Sequence, residues 1–384
     1  MSSRAVTGFP SSKSRRSRLN GRRLWAKTHL WIALSVGWVM AVMGISGSIL
    51  IYKDELERLF LPPIQRQSDS APLADVNKVM AAAYYLFSKD SGSWSLTFPQ
   101  GEGAPYRVTY LNNDLTVDVM EPVEIWIDPY RAKLLRLTQA KDRWLDDWLY
   151  RLHSTLQLGD GGRLWVAAAG GLFAVSVTSG LYLWWPGRLA GFRWKMTSLH
   201  HWLGMISAPV LLLSIVTGLY LALPQYLVPW LHEADKTAAW APGQNYFTGT
   251  QSPLPVEDVM ASALAAFPGA RLRRLSFPEA PEDPYIVALY WPGYADTPKG
   301  WVKVAVDAYL GKVISYHLPP DQGIRAWLEQ WIYLLHNGSA MGPGGRALLC
   351  LGGLAPGVLM TTGTLTWWRR HRRRKKRRFE LLPG

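Results

Sequence analysis

Residues 30–52 read LWIALSVGWVMAVMGISGSILIY and contain no Asp, Glu, Lys or Arg. A helix that crosses a bilayer needs about 20 such residues, because in hydrocarbon the backbone must satisfy its own hydrogen bonds within the segment. Leu164 to Gly187, Trp202 to Leu231 and Ala347 to Trp368 share the same property. One all-apolar helix can hide in a soluble core; four of this length, each with charged residues near its ends, argue against a soluble domain. The chain is expected to be an integral membrane protein with four transmembrane α-helices.

Basic residues set the orientation. Residues 1–28 carry eight Lys and Arg, the loop 188–195 carries Arg188, Arg193 and Lys195, and residues 369–378 carry nine. These segments are expected to be cytoplasmic, since short cytoplasmic loops concentrate Lys and Arg. With the tail counted to its end they hold 20 of the 42 basic residues and one of the 28 acidic ones, Glu380, leaving 22 against 27 elsewhere, so the net charge of +14 is a topology signal. The basic tail from Arg369 can be read as a nucleic-acid site, but directly after a span it reads better as an orientation signal and an anchor to membrane lipids. No nucleic-acid partner is expected. Arg15-Arg16 resembles a twin-arginine signal, yet the run that follows is too long for a signal peptide and no A-x-A site follows it, so an uncleaved anchor is expected. Cys350 is the single cysteine. It excludes an intramolecular disulfide, a cysteine metal cluster and covalent c-type haem attachment.

The chain also matches itself. At a shift of 183 residues, Trp144, Trp148, Tyr150, His153, Gly161-Gly-Arg163, Gly170, Thr178, Gly180 and Trp184-Trp185 fall on Trp327, Trp331, Tyr333, His336, Gly344-Gly-Arg346, Gly353, Thr361, Gly363 and Trp367-Trp368. At a shift of 171, His29-x-Trp31 and Ser46-Gly47 fall on His200-x-Trp202 and Thr217-Gly218. Such self-similarity reads as a duplication. Each repeat has two spans and begins and ends in the cytoplasm, so the repeats are parallel. The intervening segments repeat too: a helix (Leu73 to Phe87; Val256 to Phe267), alternating strands (Ser95 to Pro99 and Tyr106 to Tyr110; Arg274 to Pro278 and Tyr285 to Tyr290), then a turn (Asp128 to Lys133; Asp307 to Lys312). Both read as periplasmic α+β modules.

The expected order is therefore a basic tail (1–23), transmembrane helix 1 (24–52), a first module (53–141), an outer amphipathic helix (142–158), helix 2 (163–187), a cytoplasmic loop (188–198) and helix 3 (199–231). A second module (232–323), a second outer amphipathic helix (324–337), helix 4 (345–368) and a basic tail (369–384) follow.

Four of the eight histidines are duplicated. His29 and His200 open spans one and three at the cytoplasmic side; His153 and His336 precede spans two and four at the outer side. A lone histidine near a span end is usually an interfacial polar group, but duplication favours a shared role. Imidazole is a common axial ligand of haem iron, and two imidazoles fill both axial positions, which suits electron transfer. His29 and His153 lie at opposite faces, so bis-histidine sites have to form across the repeats: His29 with His200, and His153 with His336. His201 stands as an alternative to His200, with the match to His29-x-Trp31 favouring His200. These residues are expected to hold two b-type haems, with the iron as the metal; no acid–base catalytic residue is expected. Mid-span Gly170, Gly171, Gly352 and Gly353 serve either a flat cofactor or, more simply, close helix packing. The paired tryptophans read chiefly as an aromatic belt.

The His-x-Trp opening of spans that end in Ser/Thr-Gly, with helix–strand modules closing in Asp-Pro-Tyr-Arg-Ala-Lys or Asp-Ala-Tyr-Leu-Gly-Lys, resembles the PepSY-associated transmembrane family. Length and two-plus-two layout are similar to the di-haem ferric-siderophore reductases of Gram-negative inner membranes. The resemblance covers about residues 24 to 370. It implies PepSY-like outer modules, two haems, an inner-membrane location, and a haem-dependent oxidoreductase that reduces a ferric siderophore, Fe(III) to Fe(II), on the periplasmic side in iron uptake. No nucleotide fingerprint or phosphate loop is present, so electrons are expected from a quinol or a cytoplasmic reductase. Two rival readings remain: a siderophore or iron permease, against which the uncharged spans argue, and a non-enzymatic envelope binding module.

Overall fold

The computed structural model describes residues 12–64, 72–87, 92–101, 103–112, 122–139, 144–185, 196–223, 240–247, 249, 251–319 and 323–379. The loop 188–195, the apolar run beyond Leu223, and His232 lie outside these residues. The chain separates into two compact units, residues 1–52, 148–228 and 333–384 in one and residues 53–147 and 229–332 in the other.

The first unit contains the spans. Helix α1 covers Ser12–Ile51, α5 Asp160–Trp184, α6 Met196–Ala222 and α9 Gly342–Phe379. The stretches Gly21–Ile51, Asp160–Trp184, Ser198–Ala222 and Ser339–Lys375 are long and apolar enough to cross a membrane. At 1.5 Å per residue the 40 residues of α1 run about 60 Å, far more than a hydrocarbon core of about 30 Å. Residues 12–23 and 369–379 of the basic tails thus continue their spans as helix, which Lys and Arg favour and no Gly or Pro interrupts between Trp368 and Phe379. Pro209 and Pro356 sit inside α6 and α9, as membrane helices tolerate.

The four helices form a closed ring in which α1 and α6 each pack against α5 and α9. The α1–α9 contact is the tightest: a Cβ on Gly44 would sit 2.0 Å from the Gly353 carbonyl oxygen, and Ser48 Oγ donates to the Cys350 carbonyl. Phe173, Leu211 and Ile215 pack in the interior with Val36, Met40 and Leu359 at their edge. Before α5, a short helix α4 (Tyr150–Thr155) follows a π-helical turn, Trp144–Leu149; before α9 comes α8 (Gly323–Asn337).

The second unit opens with α2 (Lys53–Arg58) and contains one antiparallel eight-stranded sheet in the order β4-β3-β2-β1-β5-β6-β7-β8. The strands are β1 Gly92–Thr97, β2 Tyr106–Asn112, β3 Val123–Ile127, β4 Leu134–Thr138, β5 Arg271–Ser276, β6 Tyr285–Tyr290, β7 Val302–Val306 and β8 Val313–His317. The sequence suggests two separate modules, whereas the structure joins them: β1 and β5 pair Ser95 with Ser276, Leu96 with Leu275 and Thr97 with Arg274. Pairing the two edges satisfies backbone groups that would otherwise template association. Alternate residues bury one face, with Leu96, Val108, Ile125, Leu275, Val287 and Val304 fully covered. The cover is α3 (Val76–Tyr84) and α7 (Val256–Ala266), which contribute Val79, Ala83, Val259 and Ala263 to the same core. Asp75 caps α3 by accepting from the amides of Asn77 and Lys78, and Asn77 reaches across to Glu257 of α7. Asp128 and Asp307 hold the β3–β4 and β7–β8 turns, each accepting from two backbone amides of its turn.

Candidate functional site

Every span of the first unit carries one Ser/Thr-Gly step, and each step receives one imidazole. His29 of α1 meets Ser179-Gly180 of α5: its Nδ1 is 2.9 Å from the Ser176 carbonyl oxygen and 3.2 Å from Ser179 Oγ. His200 of α6 meets Thr362-Gly363 of α9, with Nδ1 3.1 Å from both the Leu359 carbonyl oxygen and Thr362 Oγ1. His153 of α4 meets Ser46-Gly47 of α1, 2.9 Å from the Met43 carbonyl oxygen and 3.2 Å from Ser46 Oγ. His336 of α8 meets Thr217-Gly218 of α6, 2.9 Å from Thr217 Oγ1, with the Ser214 backbone as a second partner.

The glycines make these contacts possible. A Cβ on Gly47 would lie 2.7 Å from His153 Cε1, on Gly180 3.1 Å from His29 Cε1, on Gly218 3.1 Å from His336 Cε1, and on Gly363 3.3 Å from His200 Cε1. The hydroxyls have a double duty. Ser46, Ser179, Thr217 and Thr362 each donate to a carbonyl one turn back in their own helix, so their oxygens are left to accept from the imidazole.

This pattern fixes the tautomer. A carbonyl oxygen can only accept, so Nδ1 carries the proton, and in a neutral imidazole Nε2 then holds the lone pair. Burial pushes His153 and His336, which lie outside the spans, below the ordinary imidazole range, His336 to about 4 with the neighbouring His153 adding to the effect; both are neutral at physiological pH. Among the described residues no hydrogen bond engages Nε2 of any of the four rings. A donated Nδ1–H with a free Nε2 is the arrangement that histidine ligands of metals use, because the second partner orients the ring and raises its basicity.

The rings then pair. The centroids of His29 and His200 are 6.4 Å apart, and those of His153 and His336 are 6.1 Å apart. Two imidazoles whose Nε2 atoms shared one metal ion, with bonds of about 2.0 Å, would have centroids at a separation of this order. Among the described residues, no three His, Cys, Asp or Glu side chains converge. His29 and Gly47 are eighteen residues apart on α1, and His200 and Gly218 eighteen apart on α6. Both intervals give about 27 Å of rise, so the two pairs lie near opposite ends of the bundle.

His201 is exposed, its ring 6.2 Å from that of His200, and it meets no Ser/Thr-Gly step. His317 packs beside Trp240, and His371 stacks on Trp367. Gly352 and Gly353, read in the sequence as packing or cofactor glycines, face Val210 and Gly44 and serve helix packing. The four hydroxyl residues were missed as a set, although the signal is present: a Ser/Thr-Gly dipeptide in each span, with the sequence comparison at two shifts linking them in pairs. In the second unit Trp291 and Tyr309 pack against the core, while Trp126 lies on the other face of β3 beneath the Arg107 guanidinium.

A family model described as the PepSY-associated TM region matches residues 26–370. No curated protein matches the chain. With that match running from within the first span into the fourth, this membrane protein belongs to the PepSY-associated transmembrane family.

Proposed function

We propose that this protein is a di-haem electron carrier of the bacterial inner membrane that reduces ferric siderophores on the periplasmic side. The observation that carries the reading is the fourfold imidazole geometry: four rings with Nδ1 donated, Nε2 free, and centroids paired at 6.4 and 6.1 Å. His29 and His200 would hold one b-type haem and His153 and His336 the other; each would supply reversible one-electron exchange at its iron. The chain's own part would be to orient the imidazoles through the Ser/Thr-Gly steps, to offer two ring nitrogens to each haem, and to keep the interior between the pairs apolar with Phe173, Leu211 and Ile215. Two parallel repeats with cytoplasmic termini put the His29 pair on the cytoplasmic side, where a quinol or a cytoplasmic reductase supplies electrons. The His153 pair then faces the periplasm. The substrate's ferric ion takes up one electron there, and hard oxygen donors release the ferrous product more readily.

The test is an anaerobic spectrum of the purified protein, reduced and then mixed with a panel of ferric siderophores and an Fe(II) trap. Two b-type haems per chain that reoxidise with formation of trapped Fe(II) are expected. Haem that stays reduced with every siderophore removes the acceptor, and haem-free protein removes the whole reading.

A further inference from the structure

The spacing on the helices places an arginine at the depth of the His153 pair. Gly180 of α5 lies against His29, and Gly47, eighteen residues after His29 on α1, lies against His153. Since α5 runs antiparallel to α1, eighteen residues before Gly180 brings the chain to Gly162, so Arg163 stands at the depth of His153. A separate contact agrees: a Cβ on Gly162 would sit 1.9 Å from the carbonyl oxygen of Thr155, two residues after His153. Arg346 has the same setting, because Gly345 packs on Gly338, two residues after His336.

The two arginines differ in what they touch. Arg346 donates to the Ile51 carbonyl at the end of α1, and its guanidinium lies 4.6 Å above the Tyr52 ring. The position that corresponds to Ile51 is Ala222, at the end of α6, yet among the described residues Arg163 makes no such bond, and its Nε is buried with no hydrogen-bond partner. A cation at this depth calls for an anion, and a guanidinium fork matches a carboxylate. A b-type haem carries two propionate carboxylates on one edge.

We propose that Arg163 binds a propionate of the haem held by His153 and His336. This rests on the haem reading above and assigns a role to a residue that reading does not use. Arg163 thereby offsets the carboxylate's charge and favours the reduced iron.

The experiment is a redox titration of the full-length protein and its Arg163→Gln, Arg163→Lys and Arg346→Gln variants, with native haem and with haem b whose propionates are esterified. Arg163→Gln should lower one of the two midpoint potentials by a tenfold change in the equilibrium, about 59 mV for one electron, and leave the other unmoved; Arg163→Lys should show a smaller shift. With esterified haem the Arg163→Gln effect should vanish. Arg346→Gln should lower thermal stability and leave both potentials in place. Unchanged potentials and haem content in Arg163→Gln overturn the proposal, as does an effect that survives esterification, which would mark a lipid phosphate as the partner. Absence of haem from the wild-type protein would instead remove the reading on which the proposal rests.

Discussion

Substituting alanine for the four glycines beneath the imidazoles gives a graded prediction. Carbon–carbon contacts begin at about 3.5 Å, so the new methyl falls roughly 0.8 Å inside contact at Gly47, 0.4 Å at Gly180 and Gly218, and 0.2 Å at Gly363, from the 2.7, 3.1, 3.1 and 3.3 Å separations. The ring cannot simply slide, because the Nδ1 bonds to a carbonyl and a hydroxyl of the same helix fix it. Overpacking of this kind costs about 1–3 kcal/mol, which corresponds to a roughly 5- to 140-fold loss of haem affinity. Gly47→Ala should be the most severe and should remove or loosen only the haem of His153, while Gly363→Ala should be nearly silent. Gly171 faces open space, so Gly171→Ala should keep both haems, with the helix gaining up to about 1 kcal/mol. Gly44→Ala should act differently, damaging the fold as a whole through the Gly353 backbone. The assay is haem content per chain after a competitor such as apomyoglobin is added, with the reduced spectrum reporting which haem is lost. Equal haem retention in Gly47→Ala and Gly171→Ala would refute the argument.

Ser46→Ala and Thr217→Val should each keep haem but weaken the orientation of one ring, costing about 0.5–1.5 kcal/mol of affinity, checked by the same competition. Leu96→Ala and Leu275→Ala, fully buried on the paired strands β1 and β5, should each destabilise the sheet by about 2–5 kcal/mol, read as a lower unfolding midpoint of the second unit while haem content is unchanged. Burial, aided by the Asp75 charge, raises the Tyr106 hydroxyl to about 12, and that hydroxyl donates to the Ala74 carbonyl. The unfolded chain loses this proton from pH about 10 and the folded one from about 12, so the contribution, about 2–3 kcal/mol, is present below pH 10 and lost as pH rises to 12. Tyr106→Phe should flatten that part of a stability-versus-pH curve.

The spans were legible because twenty or more residues without charge have one physical solution in a bilayer. The four histidines were legible as a group because two sequence shifts singled them out, and the structure brings His29 to His200 and His153 to His336. The receptors of their Nδ1 protons were less so. Ser46, Ser179, Thr217 and Thr362 look like ordinary small polar residues of a membrane helix, and only the tertiary contact shows that each sits opposite an imidazole. The join between the modules was not legible at all. Gly92-Ser-Trp-Ser-Leu-Thr97 and Arg271-Leu-Arg-Arg-Leu-Ser276 mark themselves as strands, but nothing local to either says that an edge nearly 180 residues away is its neighbour. The helical run of Arg369 to Phe379 was hidden by charge: a block of nine cations reads as a tail until its lack of any breaker is weighed.

The most direct measurement is haem stoichiometry in single histidine variants, with iron and pyridine haemochrome both counted per chain. Two b-type haems in the wild-type protein and in His201→Ala, and one in each of His29→Ala, His200→Ala, His153→Ala and His336→Ala, is the result predicted. Two haems retained in His153→Ala or His29→Ala, or loss of a haem in His201→Ala with none lost in His200→Ala, would contradict the ligand assignment.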